Sequence, residues 1–192
     1  MSEFEARLFG TLLPILEDGD PRARISAYHD MPYAIFRYDA AEEFALRKAV
    51  TDLATRLQLK GKRVTRISLA ECLAAALAGS GQAQEDWYQA ERDIGLAETV
   101  ETVANVLATY CPLVNLVAER LPTAPDPAKD VVLVSRTGAL FPFYRTFSLL
   151  EQLKGQVSVP TVLFYPGDMD GAAGLRFMGV LEAEHNYRPK IF

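Results

Sequence analysis

The sequence predicts an α/β fold, a layered sandwich with a mostly parallel central sheet. Three observations carry that expectation. Strand-like and helix-like segments alternate along the chain as β-α-β-α…-β-α-β. The run "VVLV" (131–134) is continuously apolar, as a parallel strand covered on both faces requires, and "VPTVLFY" (159–165) reads as a second buried strand. Between the strand-like runs, apolar residues recur at helical spacing. The whole chain, residues 1–192, reads as a single α/β domain. At that size roughly 70% of the unfolded surface is buried, so the core needs neither disulfides nor metal.

Taken in order, Phe4, Leu8, Leu12 and Leu16 recur at steps of four with Phe9 and Leu13 beside them, which predicts a one-faced helix with an irregularity at Pro14, ended by "EDGDP". "YAIFRY" (33–38) follows Pro32 and is a predicted strand. Phe44, Val50, Leu53 and Leu57 mark a helix to about Leu59. "RVTRISL" (63–69) alternates like a strand, "AECLAAALAG" is an Ala-rich helix stopped at Gly79-Ser80-Gly81, and a short helix surrounds Trp87. Leu96, Val100, Val103, Leu107 and Tyr110 keep a helical period that Pro112 interrupts before "LVNLVAERL" resumes it. "PTAPDPAKD" (122–130) is a surface loop; "PFYRTFSLLEQLK" is a helix opened by Pro142 and closed by Gly155. The tail "HNYRPKIF" ends in a strand that Pro189 confines to a sheet edge.

Bulk properties narrow the functional classes. Hydrophobic residues make up 49% and charged residues 23%, ordinary values for a soluble globule. The net charge of −5 argues against a protein that mainly coats nucleic acid. Cys72 and Cys111 lie far apart in apolar surroundings and read as thiols of a reducing compartment. The N-terminus "MSEFEARLFGTLL" is acidic, unlike a signal peptide, and no run approaches ~18 apolar residues. A cytoplasmic location is expected.

Ligands of such sheets sit beyond the carboxyl ends of the strands. Here those ends carry Tyr38-Asp39, Ser68, Ser135-Arg136-Thr137-Gly138 and the stretch "YPGDMDGAAGLRFMG". No segment matches the P-loop pattern; "VVLVSRTGALFP" has one glycine and no lysine, and Ser135 stands where a Walker-B acid would. "GSGQAQ" follows a helix and lacks the third glycine of a dinucleotide fingerprint. The only histidines, His29 and His185, have no ligand spacing to each other or to a cysteine. Asp168 and Asp170 resemble the paired aspartates of haloacid-dehalogenase phosphatases, but only 22 residues follow them. They also lie beyond a Pro-Gly turn at Pro166-Gly167, so the stretch reads as a glycine-shaped turn. No metal or cofactor is therefore expected, and no catalytic residues are assigned.

Arginines and aromatics interleave near the chain end. Arg136, Phe141, Phe143, Tyr144, Arg145, Arg176, Tyr187 and Arg188 form a candidate partner interface, since both residue types are enriched at hot spots. The bland alternative is aromatics in the core ringed by arginines. A second candidate is a basic patch of Lys60, Lys62, Arg63 and Arg66 for nucleic acid, and a third is phosphoryl chemistry at Asp168 and Asp170.

"SRTGALFPFYRTFSLLEQL", "VPTVLFYPGDMDGAAGLRFMG", "HNYRPKIF" and the N-terminal "FRYDAAEEFALRKAVTDLATRL" together resemble the BrxB family of bacterial BREX phage-defence systems. The resemblance spans nearly the whole chain. It implies a small non-catalytic core component of a multi-protein BREX assembly whose companions include an ATPase, an adenine methyltransferase and a phosphatase-superfamily PglZ-type subunit. The expectation built on it is a protein-interaction adaptor with the PglZ-type subunit as its foremost partner. It also implies a fold related to P-loop ATPase cores without their nucleotide motifs. It brings no catalytic residues with it.

Overall fold

Short runs of β-branched and aromatic residues form strands because their alternating side chains can be buried on two faces at once. In the computed structural model, residues 2–26, 31–171, 174–184 and 189–192 are described. The strands are β1 (Tyr33–Tyr38), β2 (Arg63–Ser68), β3 (Asp130–Ser135), β4 (Thr161–Asp170), β5 (Gly174–Phe177) and β6 (Lys190–Ile191). The central sheet has the order β2-β3-β4-β1-β6, and every one of those pairings is parallel. β6 lies at the edge beside β1, directly after Pro189, as the tail predicts.

The period-2 alternation sorts the core into two layers. Tyr33, Ile35, Ile67, Val132, Val134, Leu163 and Tyr165 face one layer; Ala34, Phe36, Val131, Leu133, Val162 and Phe164 face the other. Helices α1 (Glu3–Arg7), α2 (Leu13–Leu16), α3 (Arg22–Ile25) and α4 (Glu43–Leu59) cover the second layer. Helices α5 (Leu69–Gly79), α6 (Gln84–Ile94), α7 (Leu96–Asn105), α8 (Leu113–Ala118) and α9 (Thr146–Gln152) cover the first. The irregularity at Pro14 takes the form of a π-helical turn over Leu8–Leu12, and another over Val106–Tyr110 precedes Pro112.

Three expectations are corrected. Phe44 does not join the buried face of α4: it is 74% exposed, with the Arg47 guanidinium 4.8 Å from its ring centroid. Leu46, Val50, Leu53 and Leu57 form that face instead. The helix expected from Pro142 begins only at Thr146. Phe141 is extended (φ −75°, ψ 133°), as a residue before proline prefers, so helical winding is postponed.

The third correction concerns "YPGDMDGAAGLRFMG". It is no tight turn at Pro166-Gly167, because β4 runs straight through both residues. Its first part pairs with β1 as far as Pro166; its last part, Gly167–Asp170, pairs antiparallel with β5. Proline is tolerated there because its carbonyl accepts from the Met178 N–H, on the side away from β1. In a strand one residue's N–H and C=O point the same way, so the missing donor also faces away from β1.

An ion pair closes the start of the sheet. Asp130 is buried and receives Arg63 Nε and Nη2, each at 2.7 Å, together with the Asp126 N–H at 2.7 Å. Burial by itself would raise the Asp130 carboxyl, but the bonds from Arg63 and Asp126 outweigh it and hold it below the ordinary aspartate range. The stability it contributes is therefore present above the unfolded value of about 3.9 and lost as pH falls through the lower folded value. Asp130→Asn is expected to cost about 1–2 kcal/mol at neutral pH and to flatten the acid limb of a stability–pH curve measured in urea. An acid limb as steep as that of the unmodified protein would show that another carboxylate carries it.

Candidate functional site

The C-terminal arginines and aromatics are brought to one region, but with unequal access. Phe141 and Phe143 are half-buried against the core, and Phe141 meets the Phe177 ring at 6.0 Å, edge-on. Tyr144 is buried, its hydroxyl accepting from Gln152 Nε2 at 3.0 Å, and burial pushes its phenol up. Arg145 reaches Glu184 at 3.1 Å, and Arg176 lies 3.7 Å from Asp170 across the β4–β5 hairpin. Tyr187 and Arg188 lie outside the described residues. Among the described members, Arg136, Arg145 and Arg176 are thus the accessible ones, and the aromatics mainly hold the hairpin on the core.

The basic patch is reduced in the same way. Lys62 is 8% exposed, with its ammonium donating to the carbonyls of Asp18, Gly19 and Ala128. Arg63 is held by Asp130, leaving Lys60 and Arg66 facing outward. Asp168 is 3.9 Å from Arg37, and Asp170 pairs with Arg176. Among the described residues, no group of three or more His, Cys, Asp or Glu side chains could hold a metal ion. No helix among them is long and apolar enough to cross a membrane.

Among the described residues, two concavities have room for a ligand or partner group, one of them partly legible in the sequence. At the carboxyl ends of β2 and β3, Ser68 lies opposite Ser135 and Arg136 follows. Arg47, Arg66 and Arg136 line a cavity of about 190 Å³ there with Glu43 and Glu71. Glu43 accepts from Arg47 Nε at 2.8 Å and from the Tyr38 hydroxyl, and lies 3.6 Å from Arg136. Burial, then the bond to Glu43, push the Tyr38 phenol far up, so it stays a donor.

The second concavity is apolar and was not foreseen. α5 and α6 wall a groove of about 630 Å³ lined by Ala70, Leu73, Ala74, Leu77, Trp87 and Tyr88 among others. α5 carries one charged residue, Glu71, in eleven positions, a composition usual for a helix covered all round. Yet Ala74 and Ala78 are exposed, and Tyr88 is 52% exposed. The Trp87 indole N–H is buried with no acceptor among the described residues. The signal was present in the sequence: "LAECLAAALAG" is apolar on every face, not on one.

Residues 65–191, which include α5, α6 and most of β2 but not α4, match the family described as BREX protein BrxB. The chain belongs to the BrxB family. A Bacillus cereus (strain H3081.97) protein named BREX protein BrxB is 23% identical over 181 residues, covering 92% of this chain and 91% of that one. No solved structure matches. BrxB membership makes the chain a BREX component that works alongside other BREX proteins.

Proposed function

We propose that this BrxB-family chain is a non-catalytic adaptor of BREX phage defence that holds a helix of another BREX subunit in the α5/α6 groove. The observation that supports this most is the uncovered apolar face of α5, in a helix whose composition calls for cover on all sides. Small residues at Ala70, Ala74 and Ala78 let a second helix approach closely, with Leu73, Leu77, Trp87 and Tyr88 as the larger contacts. The charge of α6, one wall of the groove, sets the charge of the partner: it carries Glu85, Asp86, Glu91 and Asp93 against Arg92, and the following α7 has Glu98 and Glu101 without a basic residue. The fitting occupant is an amphipathic helix with an apolar face and flanking Lys or Arg.

The PglZ-type subunit is the partner of choice, and calorimetric titration with it tests the reading. A saturable complex is expected. Ala74→Glu and Ala78→Glu sit on exposed helix positions, should leave folding intact, and are each expected to weaken binding at least tenfold, about 1.4 kcal/mol. Glu91→Lys should lower the association rate and its salt dependence. No binding at tens of micromolar, or equal affinity for both groove variants, would refute the groove as the docking site. Arg145→Ala and Arg176→Ala in the same titration measure what the C-terminal arginines add.

A further inference from the structure

The cavity at the carboxyl edge of the sheet has a different chemistry from the apolar groove and does not depend on it. Its three guanidinium groups come from three separate elements: Arg47 from α4, Arg66 from β2 and Arg136 from the turn after β3. Two of them share a single carboxylate, Glu43, which also takes the Tyr38 hydroxyl. Arg66 donates to Thr51 Oγ1 at 3.3 Å and pairs with no carboxylate among the described residues. With Glu71 also in the lining, the cavity carries three positive and two negative side chains, and Arg66 is the guanidinium that no carboxylate among the described residues balances.

The backbone supports the same conclusion. Arg136 has φ 61° and ψ 32°, a left-handed conformation that is unfavourable for a residue with a Cβ. Its side chain nonetheless closes the cavity beside Ser135 and Ser68 instead of yielding the position to glycine. Strain retained at a cavity wall is a mark of a site where the side chain is needed.

We infer that this cavity binds a phosphate group, either free or as a phosphomonoester at the end of a larger ligand. Guanidinium groups supplied by three separate elements suit a tetrahedral oxyanion with several acceptor oxygens, whereas a planar carboxylate engages one fork. The two serine hydroxyls at the strand ends supply further donors. A volume of about 190 Å³ accommodates the phosphate group but not a whole nucleotide; sites for drug-sized ligands start at about 300 Å³.

The test uses the full chain and inorganic phosphate, with the thermal midpoint followed at constant ionic strength against chloride and acetate. Phosphate is expected to raise the midpoint saturably, and acetate much less. Arg136→Gly suits the left-handed backbone, so it keeps or raises basal stability while reducing phosphate affinity at least tenfold. Arg66→Met should likewise reduce phosphate affinity, and Arg56→Met, outside the cavity lining, should leave the phosphate-dependent shift unchanged. Two further arms separate the sources. A 5′-phosphorylated oligonucleotide that binds more tightly than its 5′-hydroxyl form assigns the phosphate to a nucleic-acid end; equal weak binding of both, with phosphate bound, assigns it to the free ion. A response no larger than with chloride, an equal response to acetate, or a response unchanged in both variants would overturn the inference.

Discussion

Gly167→Ala is expected to destabilise the protein by about 3 kcal/mol, at the upper end for forcing one methyl into a packed site. A Cβ at this position would lie 2.2 Å from the Arg176 carbonyl oxygen and 2.8 Å from Tyr165 Cε1. Neither can retreat. Arg176 belongs to β5, whose ladder pairs Gly167 with Phe177, and Tyr165 is fully buried in the first core layer. The relief available is to break the hairpin from β4, which would also release Phe177 from its contact with Tyr165 at 5.4 Å. Gly171 is the matched comparison: nothing lies within 4 Å of its would-be Cβ, so its alanine variant carries the left-handed φ of 66° alone, about 1 kcal/mol. Urea midpoints at constant slope separate the two. A Gly167→Ala protein no less stable than Gly171→Ala would mean that the strands do not approach this closely.

Lys62→Met is the second large effect, expected at about 2 kcal/mol because three backbone carbonyls lose the charged donor that the buried Lys62 supplies to all of them at once. Lys62 ties the turn after α2, through Asp18 and Gly19, to Ala128 in the loop before β3. Methionine keeps the length of the side chain and removes only the ammonium, so the loss reports hydrogen bonding and not a cavity. Lys60→Met, two residues earlier and exposed, should lie within about 0.5 kcal/mol of the unmodified protein. The comparison also decides between structural and nucleic-acid roles for "KGKR". A phosphate-binding lysine would leave stability nearly unchanged and reduce the salt dependence of DNA or RNA binding instead. That pattern at Lys62 would restore the basic patch as a functional surface.

Both variants show where reading from sequence stops. Lys62 and Arg63 are chemically ordinary members of a four-residue basic run, and nothing local distinguishes them from Lys60. They become structural because the chain brings Ala128 and Asp130 beside them from more than 60 residues away. Tyr144 is a similar case. Its neighbours Phe143 and Arg145 look equally fit for a surface, yet the delayed start of α9 turns Tyr144 alone fully inward.

The strand runs, the helical periods and the alternation between them were determined by the sequence itself, because period-2 and period-3.6 patterns are local and each selects one element type. The parallel sheet followed, since "VVLV" and "VPTVLFY" demand cover on both faces. So did the family, through motifs spread over nearly the whole chain. The tertiary structure alone decided that Pro166-Gly167 lies inside a strand, that three arginines from α4, β2 and the end of β3 surround one cavity, and that one face of α5 is left uncovered. Each of these depends on which distant segments meet, and contacts between segments far apart in the chain leave no periodic trace in either of them.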